Sequence, residues 1–133
     1  MKIFLDDVRN PKDCLSYMHT RIGKLNPIYD EDWVIIRNYE DFTEVIEQAH
    51  LLEQDITHIS FDHDLADEHY SYGRDTAQAW TEYHSDEGHE KTGLDCAEFV
   101  KDFYKQNGLK LPIMFVHSMN PVGTQNIINL FND

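Results

Sequence analysis

The sequence predicts a three-layer α/β domain around a four-stranded parallel sheet, and three observations carry that prediction. Short runs rich in β-branched and aromatic residues alternate with segments whose apolar residues recur at helix spacing. Strand-helix alternation of this kind builds βαβ units. The strand candidates are almost continuously apolar, as expected for strands covered on both faces. Two of them end directly on carboxylates: Lys2-Ile3-Phe4-Leu5 on Asp6-Asp7, and His58-Ile59-Ser60-Phe61 on Asp62-His63-Asp64.

In chain order, the predicted strands are Lys2–Leu5, Trp33–Arg37, His58–Asp62 and Ile113–His117. Between the second and third, Tyr39, Phe42, Val45, Ile46, Ala49 and Leu52 mark one helix, with Asn38 as its N-cap and Asp41 three residues on. A second helix opens at Thr92 with Asp95 three residues later. It is apolar on two faces through Leu94, Cys96, Ala97, Phe99, Val100, Phe103 and Tyr104, and ends at Asn107-Gly108. A last helix starts at Asn120-Pro121, a cap followed by proline at the first helical position, and carries Ile127, Ile128, Leu130 and Phe131. Residues 10–32 and 66–92 interrupt the alternation and read as long loops or lids beside the strand ends, with a short helix over Asp75–His84.

The chain of 133 residues is long enough for one domain with one core. Its 25 acidic and 11 basic residues give a net charge of −14. That charge repels nucleic acid at long range, so a long polynucleotide is not the expected partner. A small nucleotide, or an RNA end held through a metal, remains compatible with it. Cys14 and Cys96 stand far apart with no metal-ligand spacing, and read as small thiols in a reducing compartment. No apolar run approaches a membrane span and the N-terminus has no secretory pattern. The expectation is a cytoplasmic protein without membrane contact; its oligomeric state is left open.

The chemistry concentrates at the strand ends, where open parallel sheets bind ligands. Asp6, Asp7, Asp62 and Asp64 brought to one sheet edge would repel each other unless a divalent cation, Mg²⁺ or Mn²⁺, sat among them. The competing interpretation is a solvated turn for Asp6-Asp7 and, for Asp62 and Asp64, an acidic loop next to a helix N-terminus, where carboxylates are favourable anyway. His63 and His117, with ordinary pKa values of about 6.5, are candidate acids or bases; the competing interpretation is a satisfied structural histidine. Ser118 and the following helix N-terminus suit a phosphoryl oxygen. Asn120 reads as the helix cap or as a phosphate contact. Arg9 and Arg37 are candidate phosphate ligands, or counter-charges for the carboxylates. His69, His84 and His89, with Asp86 and Glu87, have the composition of a zinc site, but their spacing fits a solvated mobile lid better. Asp95 reads as a capping-box acid.

The placement of Asp6-Asp7, Asp62 and Ser118 resembles response-regulator receiver domains. That resemblance implies Mg²⁺ on the acidic pair and the third-strand Asp62, phosphoryl transfer to Asp62, and a Ser118 contact to the phosphoryl group. Receivers also carry a fifth strand ending in Lys, and the residues after Ser118 leave no room for one. The chain is more similar to the cyclic-phosphate-processing receiver domain family, through Leu5-Asp6-Asp7-Val8-Arg9-Asn10-Pro11, Ser60-Phe61-Asp62-His63-Asp64-Leu65, Thr92-Gly93-Leu94-Asp95 and Val116-His117-Ser118-Met119-Asn120-Pro121-Val122-Gly123. This second resemblance implies a single receiver-like (flavodoxin-like) domain over residues 1–133 with a truncated sheet of order 2-1-3-4. It also implies action on cyclic phosphates of nucleotides or RNA ends, and adds weight to Asp95 and Arg37.

The expected function is a metal-dependent phosphoesterase in which Asp62, His63, His117 and Ser118 are catalytic. Arg9, Arg37, Ser118 and Asn120 would bind phosphate, and Asp6, Asp7, Asp62 and Asp64 would hold the metal. The alternative is a receiver-like phosphoryl- or nucleotide-binding signalling module without turnover. A third possibility, an acidic blocker of a basic partner, rests on charge alone. A Toprim-like reading lacks the Glu expected after the first strand.

Overall fold

The computed structural model describes residues 1–15, 27–66, 69 and 76–132. Strands β1 (Lys2–Leu5), β2 (Val34–Ile36), β3 (His58–Phe61) and β4 (Ile113–Val116) pair in parallel in the order β2-β1-β3-β4. Helices α1 (Tyr39–Leu51), α2 (Ala77–Ser85), α3 (Gly93–Gln106) and α4 (Pro121–Phe131) join them, with a 3₁₀ turn at Pro27–Asp30. The predicted sheet order is the observed one, and the architecture is that of a receiver- or flavodoxin-like α/β fold.

Handedness explains the layers. The chain steps outward from β1 to β2, then back across β1 to β3 and on to β4. Crossovers of constant right hand put connections running in opposite directions on opposite faces. Accordingly Ile3, Leu5, Ile59 and Phe61 face one core with Phe42, Ile46, Ala97, Val100 and Ile127 from α1, α3 and α4. Phe4, on the other face of β1, packs with Cys14, Tyr29 and Trp33 from the first long connection. Alternation along β1 thus feeds two cores from consecutive residues.

The helix signals act as predicted. Asn38 accepts from the Asp41 N–H, Thr92 and Asp95 form a reciprocal capping box, and Asn120 accepts from the Gly123 N–H ahead of Pro121. Gly108 ends the α3 region with φ +63°, a conformation glycine adopts without steric cost. Both cysteines are buried and free.

Three expectations need correction. Only β1 and β3 are covered on both faces; the edge residues Val34, Ile35 and Ile113 are 40%, 38% and 57% exposed. An apolar run in a parallel strand does not reveal whether the strand is central or at the edge. The first long connection is not bare loop, since residues 11–15 are helical and Pro27–Asp30 turns; residues 16–26 lie outside the described residues. In the second, α2 starts at Ala77, capped by Thr76, rather than at Asp75. Its described part is packed, not a solvated lid: Trp80 and His69 are fully buried and Tyr83 nearly so. The His69 Nδ1 accepts from the Leu65 and Ala66 N–H groups at 2.9 and 3.2 Å, and its Nε2 meets the Glu90 carbonyl at 3.0 Å. That ring is satisfied within the fold. Residues 67, 68 and 70–75 fall outside the described part. Among the described residues, no helix is long and apolar enough to cross a membrane.

Gly93 is a packing requirement. A Cβ there would stand 1.7 Å from the Asp62 carbonyl oxygen and 2.8 Å from the His63 Cα, both backbone atoms. Gly93→Ala is therefore expected to destabilise the fold by roughly 3 kcal/mol or more in urea unfolding, through forced backbone displacement. A loss below about 1 kcal/mol would mean that α3 does not bear on the β3 tip as described.

Candidate functional site

The strand register brings the chemistry together. Leu5 pairs with Ile36 and Phe61, and Phe61 with Val116. One step further, the Asp6 N–H donates to the Ile36 carbonyl, the Asp62 N–H to that of Leu5, and the His117 N–H to that of Phe61. Asp6, Asp62 and His117 therefore leave neighbouring strands at one level, and all three are buried.

Asp6 is the most heavily bonded carboxylate. Its Oδ1 accepts from the Val8 and Arg9 N–H groups at 2.9 and 2.8 Å, and its Oδ2 from Arg9 Nε at 3.0 Å and His117 Nε2 at 3.1 Å. Burial alone would raise its pKa, but these bonds, with His117 foremost, outweigh burial and hold it at about 2. Because the ionised carboxylate can only accept, His117 carries its proton on Nε2. Its Nδ1 then accepts from the Ser60 hydroxyl at 2.7 Å, and Ser60 Oγ accepts from Tyr29 at 2.8 Å. The ring lies flat on Phe4 at 4.2 Å between centroids. Burial lowers the His117 pKa, against the opposing pull of Asp6. The result is a neutral imidazole with both nitrogens engaged, which locks Asp6 rather than facing outward.

Asp62 is the opposite case. Its Oδ1 accepts from the His63 N–H, while Oδ2 is buried without a hydrogen-bond partner among the described residues. Arg9 Nη2 stands 3.3 Å from that Oδ2, within ion-pairing distance. Burial, and after it the charge of Asp6, push the Asp62 pKa up to about 7, with Arg9 opposing. Two buried carboxylates share one guanidinium, and that is not enough positive charge to hold both ionised at ordinary pH.

A cation fits this deficit. One oxygen each from Asp6, Asp7 and Asp62 lie within 4.8 Å of one another. An unsatisfied buried carboxylate oxygen within an all-oxygen donor set is what a hard divalent ion accepts. Asp64, expected to join them, is directed elsewhere: its Oδ1 accepts from His63 Nδ1 at 3.0 Å and from the Asn120 amide at 3.2 Å. His63 is itself fully buried, edge-on to Trp80 at 4.5 Å, and its Nε2 has no hydrogen-bond partner among the described residues. Gly123 makes room for this ring, since a Cβ there would come 2.3 Å from its Cγ.

The remaining predicted residues divide. Arg9 bridges Asp6 and Asp62. Arg37 instead donates to the Asp6 and Arg9 carbonyls and to Asn10, bracing the β1 exit loop. Asn120 uses its carbonyl oxygen on Gly123 and its amide on Asp64, so the α4 N-terminus is already capped by its own chain. Ser118 Oγ accepts from the Asn120 N–H at 3.0 Å. Sequence reasoning passed over Ser60 and Tyr29, the outer members of the chain that ends on Asp6. The available signal was Ser60, a lone hydroxyl inside an apolar strand.

Comparison with known proteins bears on the whole chain. A family model described as the cyclic-phosphate processing receiver domain matches residues 1–133. No curated protein and no solved structure matches it.

Two outcomes follow from these contacts. The folded pKa of Asp62, about 7, lies above its ordinary 3.8, so the protonated acid stabilises the fold at low pH. That contribution is lost as pH rises from 3.8 through about 7. In chelator, Asp62→Asn should therefore gain on the wild type by on the order of 2–4 kcal/mol across that window, then stay level. Parallel denaturation curves at every pH would contradict the unbalanced buried charge. Separately, Ser60→Ala removes the hydroxyl that links Tyr29 to His117 Nδ1. It should cost about 1–3 kcal/mol, more than Tyr29→Phe at roughly 1 kcal/mol. Equal small losses would mean that the chain of bonds does not act as a unit.

Proposed function

The chain belongs to the cyclic-phosphate processing receiver domain family, and on that premise we propose that it is a divalent-metal-dependent phosphoesterase that opens cyclic phosphates of nucleotides or of RNA ends. One observation carries the proposal: the Asp6, Asp7 and Asp62 carboxylates converge, with the Asp62 Oδ2 buried and lacking a hydrogen bond among the described residues.

Asp6, Asp7 and Asp62 would hold Mg²⁺ or Mn²⁺. The bound ion would supply Lewis-acid polarisation of the phosphoryl oxygens. Asp6 is held in one orientation by His117, Arg9 and two backbone N–H groups, so its ligating geometry is set before substrate arrives. With a cation balancing Asp62, the Arg9 Nη2 that faces its Oδ2 would be available to a phosphoryl oxygen while Nε stays on Asp6. Ser118, at the β4 exit, supports the same group. His63, oriented through Nδ1 by Asp64, keeps Nε2 as the candidate acid or base. His117 acts through Asp6 as a positioning residue. The substrate would be a small nucleotide or a single RNA end, in keeping with a net charge of −14.

A second reading, phosphoryl or nucleotide binding without turnover, is favoured by one specific observation. Both candidate histidines are fully buried, and both of the His117 nitrogens are bonded within the fold.

The deciding experiment presents 2′,3′- and 3′,5′-cyclic nucleotides and an RNA ending in a 2′,3′-cyclic phosphate, each with Mg²⁺, Mn²⁺ or EDTA. Metal-dependent product is expected, reduced at least about 100-fold in Asp62→Asn and by roughly 10²–10⁴-fold in His63→Gln. Saturable binding of one of these ligands without product would establish the binding module instead. Metal-independent turnover that persists in Asp62→Asn would overturn both readings.

A further inference from the structure

A second group of ligating side chains lies on the other side of His63, where α2 turns into α3. We propose that His84, His89 and Asp95 form a binding site for a zinc-class divalent cation, distinct from the strand-tip carboxylates. Two of the three donors would be the Nε2 atoms of the histidines and the third a carboxylate oxygen of Asp95.

The spacing suits such an ion. One donor atom from each residue lies within 4.8 Å of the other two. The Asp95 Oδ2 is 2.9 Å from His89 Nε2 and 3.9 Å from His84 Nε2. Ligands about 2.0–2.2 Å from a tetrahedral metal stand roughly 3.4 Å apart, between those two distances.

The tautomers suit it too. The Nδ1 of His84 lies 2.8 Å from the Trp80 carbonyl, and the Nδ1 of His89 bonds the Asp86 carbonyl. A carbonyl only accepts, so each ring carries its proton on Nδ1 and turns the Nε2 lone pair towards its neighbours. Outer-shell carbonyls commonly orient metal-binding imidazoles in this way. The consequence is a lone pair on His89 facing an ionised carboxylate at 2.9 Å, two acceptors that need a positive charge between them. A proton on His89 is one way to supply it, and a metal ion is the other. The Thr92 hydroxyl, 2.7 Å from His84 Nε2, also reaches Asp95 Oδ2 at 3.2 Å and can turn there when a cation takes the imidazole.

The donor set favours borderline ions of the zinc class. Two imidazoles and one carboxylate match Zn²⁺, whereas the all-oxygen strand-tip set matches Mg²⁺ or Mn²⁺. Three protein ligands leave one coordination position for water or another ligand. The supports are rigid: His84 is in the last turn of α2 and Asp95 is fixed in the Thr92 capping box at the start of α3. His84, His89 and Asp95 keep 16%, 6% and 13% side-chain exposure, which leaves a route in from solvent. Such an ion would tie α2 to the α3 start, and Gly93 there donates its N–H to the His63 carbonyl at 2.8 Å.

By composition alone, His84 and His89 group with His69, Asp86 and Glu87. His69 is committed to Leu65, Ala66 and Glu90, and Asp95, a residue with the signature of a simple cap, takes its place.

The test uses the full chain carrying Asp62→Asn, stripped of metal, so that the strand-tip site is weakened. Zn²⁺ is titrated by calorimetry and Co²⁺ by visible absorption. One equivalent of Zn²⁺ is expected, unaffected by excess Mg²⁺, with the Co²⁺ spectrum of a four-coordinate nitrogen and oxygen site. Affinity should fall at least about tenfold in His89→Ala. It should fall likewise in Asp95→Asn, which keeps an acceptor for the α3 cap. Absence of Zn²⁺ uptake, or uptake unchanged in both variants, would overturn the proposal and leave a protonated His89 paired with Asp95. Neither result depends on phosphoester turnover.

Discussion

The buried Asp6 carboxylate is the constraint on which the strand-tip geometry depends. It sits at the exit of β1 and gathers donors from Val8, Arg9 and, from the exit of β4, His117. Through His117 it reaches Ser60 on β3 and Tyr29 in the first long connection. An ionised group of this kind is tolerated in a core only when its oxygens are fully bonded. The sheet register, the neutral tautomer of His117 and the conformation of the β1 exit loop all serve that requirement.

Asp62 lies next to this satisfied group, and its buried Oδ2 has no hydrogen-bond partner among the described residues, only the Arg9 guanidinium at 3.3 Å. Arg9 cannot neutralise Asp6 and Asp62 together while Asp7 stands close by. A protein selected for stability alone would have little reason to keep a carboxylate whose pKa is driven to about 7 by burial and a like charge. Perturbed carboxylates of this sort concentrate where chemistry or ion binding is done. The contrast between the two aspartates, with pKa values of about 2 and 7, arises from their surroundings and not from residue type: donors led by His117 outweigh burial at Asp6, whereas burial and the neighbouring charge of Asp6 prevail at Asp62.

His63 joins this region to the α2–α3 junction. Its carbonyl receives Gly93, its ring fills the space that Gly123 leaves open, and its edge meets Trp80 and His84. The two glycines are therefore steric requirements on either side of one imidazole. A displacement at the α3 start would be felt at the backbone of Asp62, because nothing compressible lies between them.

The sequence by itself determined the parallel strands and the caps at Asn38, Thr92 and Asn120, because these depend on local periodicity and on side chains that bond their own backbone, while the strand order followed from the resemblance to the receiver-like family. It also placed Asp6, Asp7 and Asp62 at one edge, since residues that end adjacent parallel strands must emerge together. Tertiary structure alone decided where the side chains turn. Asp64 leaves the acidic group for His63 and Asn120, Arg37 binds loop carbonyls, and His117 faces inward to Asp6. Tyr29 and Ser60, or His84, His89 and Asp95, meet only after the chain has crossed the sheet or turned between helices. Sequence spacing carries no record of those contacts, because their partners are chosen by packing and by the need to satisfy every buried polar atom. The burial of His69 and Trp80 in a stretch that reads as polar loop has the same origin: the void beside His63 needed filling, and only the folded molecule contains that void.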